Sequence, residues 1–216
     1  MSLLTLFDVT PLTEQIRRSL FANGEQGALY DLYDQSTLFQ DAAGTTPWTT
    51  LGQPLGLQLD KSKGLVLGAE LFVEANTTFG GESSRVSPGV YRIYTSAGDF
   101  SSVAIVPSGV SAGKVYDITF TVDSIATVGS GIQLDATYAS TITTTGIKRF
   151  RYVASSGSIY IKRAGSACDF QISNVSVKEI SGNHRYQTTP ASRPTIEARV
   201  NLCTKSEFPG GTADSR

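Results

Sequence analysis

Histidine, methionine and tryptophan each occur once in this 216-residue chain, and cysteine occurs twice. Cys168 and Cys203 lie far apart with no His or Cys neighbour at ligand spacing, which excludes a zinc-type cluster and leaves no metal site to expect. Cys168, in "SACDFQIS", reads as a small packing residue rather than a nucleophile. Spacing leaves a disulfide between the two open, and the lack of an export-type leader speaks against it. His184, in "SGNHRYQT", reads as a polar loop residue. Charge is also scarce: 17% of residues are charged, below the roughly 25% of an average soluble protein. With abundant Ser, Thr and Gly, that balance favours strands and turns over helices.

Long apolar runs are missing too. No stretch of about 18 apolar residues offers a membrane-spanning helix. The first 21 residues carry Asp8, Glu14, Arg17 and Arg18 where a leader needs a basic start and an apolar centre. The expectation is a protein made in a cytoplasm, with no membrane partner. Catalytic signatures are likewise absent: no nucleophile beside a base, no paired carboxylates in a cleft context and no phosphate loop, since "GVSAGKVYD" lacks the Walker spacing. The chain reads as a non-enzyme without cofactor. What it does have is 40% hydrophobic residues, enough for a real core.

The formal net charge of -1 is unevenly spread. Residues 1–60 hold seven acids and two bases, residues 61–180 nine acids and eleven bases, and residues 181–216 three acids and five bases. That asymmetry suggests either an N-terminal part facing a less acidic partner or an ordinary solvated segment.

Three regions follow from the patterning. Residues 1–68 read as an arm. One short helix is expected in "PLTEQIRRSLFANG", with Leu12, Ile16 and Leu20 at four-residue spacing, Thr13 as cap and Gly24 at the stop. A helix this short leans on an external surface. The next stretch, 24–47, carries Leu29, Tyr30, Leu32, Tyr33, Leu38 and Phe39 with neither strand nor helix period, so these residues need a surface from elsewhere. Residues 69–180 show successive short alternating runs parted by Gly, Ser or Asn turns, the pattern of a β-sandwich. In "KVYDITFTVD" the set Tyr116, Ile118, Phe120 and Val122 is the core face. "RFRYVASSGSIYIKR" reads as a hairpin around "SSG", with Phe150 and Tyr152 opposite Arg149 and Arg151. Residues 181–216 read as a C-terminal extension, with a strand expected in "TIEARVNLC".

Across that hairpin a basic stripe of Lys148, Arg149, Arg151, Lys162 and Arg163 interleaves with Tyr152 and Tyr160. It is the candidate contact for an acidic glycan or other polyanion. Because nine acids offset it on the same domain, a solvated or inter-subunit face is the favoured reading and nucleic acid is not an expected partner.

Two stretches carry a resemblance. Residues 19–68, through "GEQG", "STLFQDAAGTTP" and "GQPLGLQLDKSKG", resemble a segment near the start of many tailed-bacteriophage virion proteins. Tyr33 stands where that segment usually has a small or polar residue, and Trp48 where it has a Val-like one. Residues 85–180 resemble the carbohydrate-binding-module-like jelly rolls of such proteins, through "GKVYDITFTVD" and "CDFQISNVSVKEI". Sugar-binding members commonly place an acid just before the final "VSV", where this chain has Asn174. The resemblance implies a mainly β fold, a jelly-roll sandwich with an extended arm and a C-terminal extension. It implies a virion structural protein, subunit of a fibre, collar or tail appendage, docked on capsid, neck or tail proteins. Docking and self-association, expected as a homotrimer, would use Leu29, Tyr30, Leu32, Tyr33, Leu38, Phe39 and Trp48. The alternative is an adhesin that reads host-surface glycan on Tyr91, Tyr94, Tyr138 or Tyr160.

Overall fold

The computed structural model describes residues 12–97, 101–106, 109–134 and 141–197. Tyr138, Cys203 and the part of the expected C-terminal strand beyond Glu197 lie outside them. The chain is mainly β. Helix α1 (Leu12–Leu20) is followed by β1 (Leu38–Phe39), β2 (Leu57–Gln58), β3 (Leu67–Glu70), β4 (Thr78–Gly80), β5 (Ser84–Ser87), β6 (Val90–Thr95) and β7 (Ser102–Val106). Then come β8 (Val115–Thr127), β9 (Ile132–Leu134), β10 (Gly146–Val153), β11 (Ile159–Arg163), β12 (Cys168–Ile180) and β13 (Arg185–Tyr186). All pairings are antiparallel. One sheet runs β10-β8-β12-β6-β5 with β3 also on β12, a second runs β4-β7-β11-β9, and a small third sheet runs β1-β2-β13.

Alternation decides the core. Tyr116, Ile118, Phe120 and Val122 of β8 are buried as expected, and they join Tyr91 and Ile93 of β6, Phe170 and Ile172 of β12, and Ile159 and Ile161 of β11 in one cluster shared by the two larger sheets. Phe120 stacks on Phe150 with ring centroids 5.9 Å apart. Cys168 sits in this core as a free thiol, and burial pushes its pKa up, which suits packing and not nucleophilic chemistry.

The expected "SSG" hairpin is not formed. β10 pairs with β8, whereas β11 pairs with β7 and β9, so the turn carries the chain from one sheet to the other. Both strands alternate with an apolar inner face, and that pattern is the same for a hairpin and for an arch over the core.

The outer face of β8 is not solvent-exposed along its whole length. Val115 and Asp117 are buried because the arm turn Ala42–Ala43–Gly44 lies on this side: the Arg151 N–H donates to the Ala43 carbonyl at 3.1 Å, and both alanines belong to the core cluster. Gly44 has φ +62°, and a Cβ there would run into the Arg151 side chain. Gly56 is equally constrained, since a Cβ would lie 2.6 Å from the backbone of Asp41.

The arm and the C-terminal extension fold together. Phe39 pairs with Leu57, and Leu57 with Tyr186. Leu55 N–H donates to Pro194 O at 2.7 Å and Gly52 N–H to Ile196 O at 2.9 Å. Helix α1 forms where expected, with its apolar stripe turned away from its own chain. It buries none of its residues, Leu12 is 71% exposed, and Ile16 and Leu20 also face solvent. Thr13 lies inside the helix instead of capping it, and its hydroxyl donates to Asp31 at 2.7 Å.

Two measurements check this arrangement. Phe120→Ala should cost about 3–5 kcal/mol in denaturant unfolding, and Thr119→Ala, on the half-exposed outer face, less than about 1 kcal/mol. Gly56→Ala should cost about 1–3 kcal/mol, because its methyl overpacks the Asp41 backbone. Equal midpoints for either variant and the parent chain would contradict the packing described.

Candidate functional site

The arm is built around a buried carboxylate. Asp60 is fully buried, and its two oxygens accept four hydrogen bonds: from Leu29 N–H at 2.7 Å, Ser62 N–H at 2.8 Å, Ser62 Oγ at 2.8 Å and Asn183 N–H at 2.7 Å. Burial alone would raise its pKa, but these donors outweigh it and hold the carboxyl below the usual carboxylate range. The Asp60 N–H donates to His184 Nδ1 at 2.9 Å, and the ring's Nε2 bonds the Ile180 carbonyl at 2.8 Å. His184 is a loop residue, as expected, and partly buried as a bridge between arm and β12. Next to it, Tyr30 donates its hydroxyl to Asn183 O and lies under the Arg185 guanidinium at 3.9 Å.

The arm's other acids among the described residues are hydrogen-bonded within it. Lys61 Nζ pairs with Asp34 at 2.6 Å and Asp31 at 3.3 Å. Burial opposes the ionised form of both carboxyls, and the Thr13, Ser36 and Lys61 contacts still bring both pKa values down. Asp41 accepts from the Thr45 and Thr46 N–H groups. Glu14 is held by Arg17 at 2.6 Å and Arg18 at 3.0 Å, which lowers its carboxyl to about 2. The described acids of the N-terminal part are thus held by internal contacts.

That frame also sorts the arm's apolar residues. Leu38 and Trp48 are buried within the chain, and Phe39 packs against the common core. Leu29 and Tyr30 are half-buried. Leu38 and Trp48 need no outside surface, which corrects the expectation for these two, while Phe39, Leu29 and Tyr30 are covered in part. Leu32 and Tyr33 are different: Tyr33 is 98% exposed and Leu32 about half exposed. With Trp48, Leu51, Ile196 and Glu197 they line a cleft of about 660 Å³. The Tyr33 N–H and the Thr13 hydroxyl share the Asp31 carboxylate, which ties α1 to the segment that carries Tyr33. Leu51 carried no signal in the sequence, because it sits alone between turn residues in "TTLGQP".

The basic stripe does not assemble. Lys148 and Arg149 point to opposite faces of β10, while Lys162 and Arg163 are on β11 in the other sheet. Arg149 makes a two-pronged contact with Asp117 at 2.9 and 3.0 Å, and Arg151 bonds the same carboxylate. Lys148 Nζ folds onto Thr144 at 2.8 Å, and Arg163 onto the Gly165 carbonyl. Tyr160 is half-buried. Of the other tyrosines considered for a sugar, Tyr91 is buried in the core and Tyr94 is covered by the Arg92 guanidinium at 4.1 Å, itself bound to Asp169. Among the described residues no group of three or more His, Cys, Asp or Glu side chains is placed to hold a metal ion. Comparison with protein-family models, with curated proteins and with solved structures returns no match.

Proposed function

We propose that this chain is a structural subunit of a bacteriophage particle, part of a fibre, collar or tail appendage, and that it docks and self-associates through the N-terminal arm. The observation that carries the reading is the sorting just described. An arm whose acids, among the described residues, are bonded internally turns Leu32, Tyr33, Leu51 and the α1 stripe outward. An apolar face held on a fixed frame is what a protein–protein contact requires, and it loses little entropy on binding. The resemblance of residues 19–68 to a virion segment supports the same assignment, and its two departures, Tyr33 and Trp48, line the same cleft. The sandwich would then project from the particle. The adhesin reading has less to stand on, because Tyr91 is buried and Tyr94 is occupied by Arg92.

The test is the triple variant L32S/Y33S/L51S. These side chains already face solvent, so stability should change by less than about 0.5 kcal/mol for each. The parent chain should sediment as an oligomer, expected to be a trimer, and be incorporated into particles, while the folded variant should do neither. Normal incorporation of the variant would remove the arm as the anchor.

A further inference from the structure

We propose that His184 is an acid-sensitive clasp: its neutral imidazole locks the arm to the end of β12, and protonation opens the lock. The geometry admits one state of the ring. Nδ1 must accept from the Asp60 N–H at 2.9 Å, and Nε2–H must donate to the Ile180 carbonyl at 2.8 Å. An imidazolium would set a second N–H against that of Asp60.

The obvious rescue, an ion pair with the adjacent carboxylate, is blocked. Each Asp60 oxygen already accepts two hydrogen bonds, Oδ1 from Leu29 and Ser62 N–H and Oδ2 from Asn183 N–H and Ser62 Oγ. A carboxylate has about four lone-pair sites, so none is left for the ring. Gly182 backs directly onto the pair: a Cβ there would be 3.1 Å from both Asp60 Oδ2 and His184 Cε1. The other charged groups around the ring are Lys114 and Glu179, paired with each other at 3.4 Å, and Arg185, which is turned to Tyr30.

Burial is the largest influence on the ring and pushes its pKa below the ordinary 6.5. Lys114 adds to this, and the Ile180 carbonyl, Asp60 and Glu179 oppose it without reversing the direction. In the opened state the ring is solvated and titrates near 6.5. The opened form therefore binds the proton more readily, and the clasp weakens as pH falls from 6.5 to the closed-state value, then levels off. The window belongs to this residue. His184 is the single histidine, and the shifted carboxyls of Glu14, Glu25, Asp31, Asp34, Asp60 and Glu74 all move downward from ordinary values of 4.5 or less. Opening breaks the bridge from the Asp60 N–H through the ring to the Ile180 carbonyl, so mild acid loosens the arm's attachment to the end of β12 while its other contacts remain.

Nitrogen-15 NMR of the imidazole in the full chain, titrated from pH 7.5 to 5, tests the proposal. The expected result is the Nε2–H tautomer at pH 7.5 and a midpoint below 6.5, with the Asp60 and Asn183 amide signals moving at the same midpoint. In parallel, the unfolding equilibrium constant of the parent chain should rise by up to about tenfold per pH unit within the window. His184→Asn, which keeps an acceptor oxygen near Nδ1 but does not titrate, should give a flat profile there. An Nδ1–H tautomer, a midpoint at or above 6.5, or the same pH profile in H184N would each overturn it. If H184N does not fold, the NMR titration of the parent chain decides alone.

Discussion

The buried carboxylate of Asp60 organises the arm of this protein. Asp60 collects hydrogen bonds from residues 29, 62 and 183, and its own N–H reaches residue 184. Segments far apart in sequence thereby meet at one point. A fully buried charge is tolerated only when its acceptor sites are filled, and here they are. The small sheet β1-β2-β13, the Tyr30–Arg185 stack and the attachment of the arm to the end of β12 all sit around that point. Removing one donor leaves a partly satisfied buried charge, so the node acts as a unit and not as a sum of contacts.

The rigidity of the arm gives its surface a meaning. Polar groups that would ordinarily solvate an arm are directed inward, in the Lys61–Asp31–Asp34 cluster, the Asp41 turn and the Thr13 hydroxyl. Apolar groups that would ordinarily be covered, the α1 stripe with Leu32, Tyr33 and Leu51, are left outside. This inversion is unfavourable for an isolated chain, and it becomes favourable when another protein covers the face. The docking proposal rests on that contrast.

The sandwich was legible in the sequence because alternation is a local signal: each of Tyr116, Ile118, Phe120 and Val122 announces its face through its neighbours. The arch between β10 and β11 was not, since strand period says nothing about which sheet a strand joins. Asp60 was invisible for another reason. Set in "LDKSKG" it looks like a surface turn, and its decisive partners are 31 and 123 positions away. The bridging contacts of His184 were hidden on the same ground, its Asp60 partner lying 124 positions away. For the arm, the stripe Leu12, Ile16, Leu20 could be read but the role of Thr13 could not, because its partner Asp31 is 18 positions away. The basic stripe dissolved for the converse reason: residues close in sequence ended on different sheets, with Arg149 and Arg151 drawn to Asp117.

The central claim is that the arm is folded on its own chain before any partner arrives, and hydrogen–deuterium exchange of the free full-length chain at neutral pH tests it most directly. The amides of Leu29, Asp60, Ser62 and Asn183 all donate into the node. They should exchange as slowly as those of β8 and β12, while Tyr33 and Leu51 remain chemically accessible on the surface. Exchange of those four amides at unstructured rates, with the sandwich protected, would mean that the arm folds only on its partner and would contradict this account.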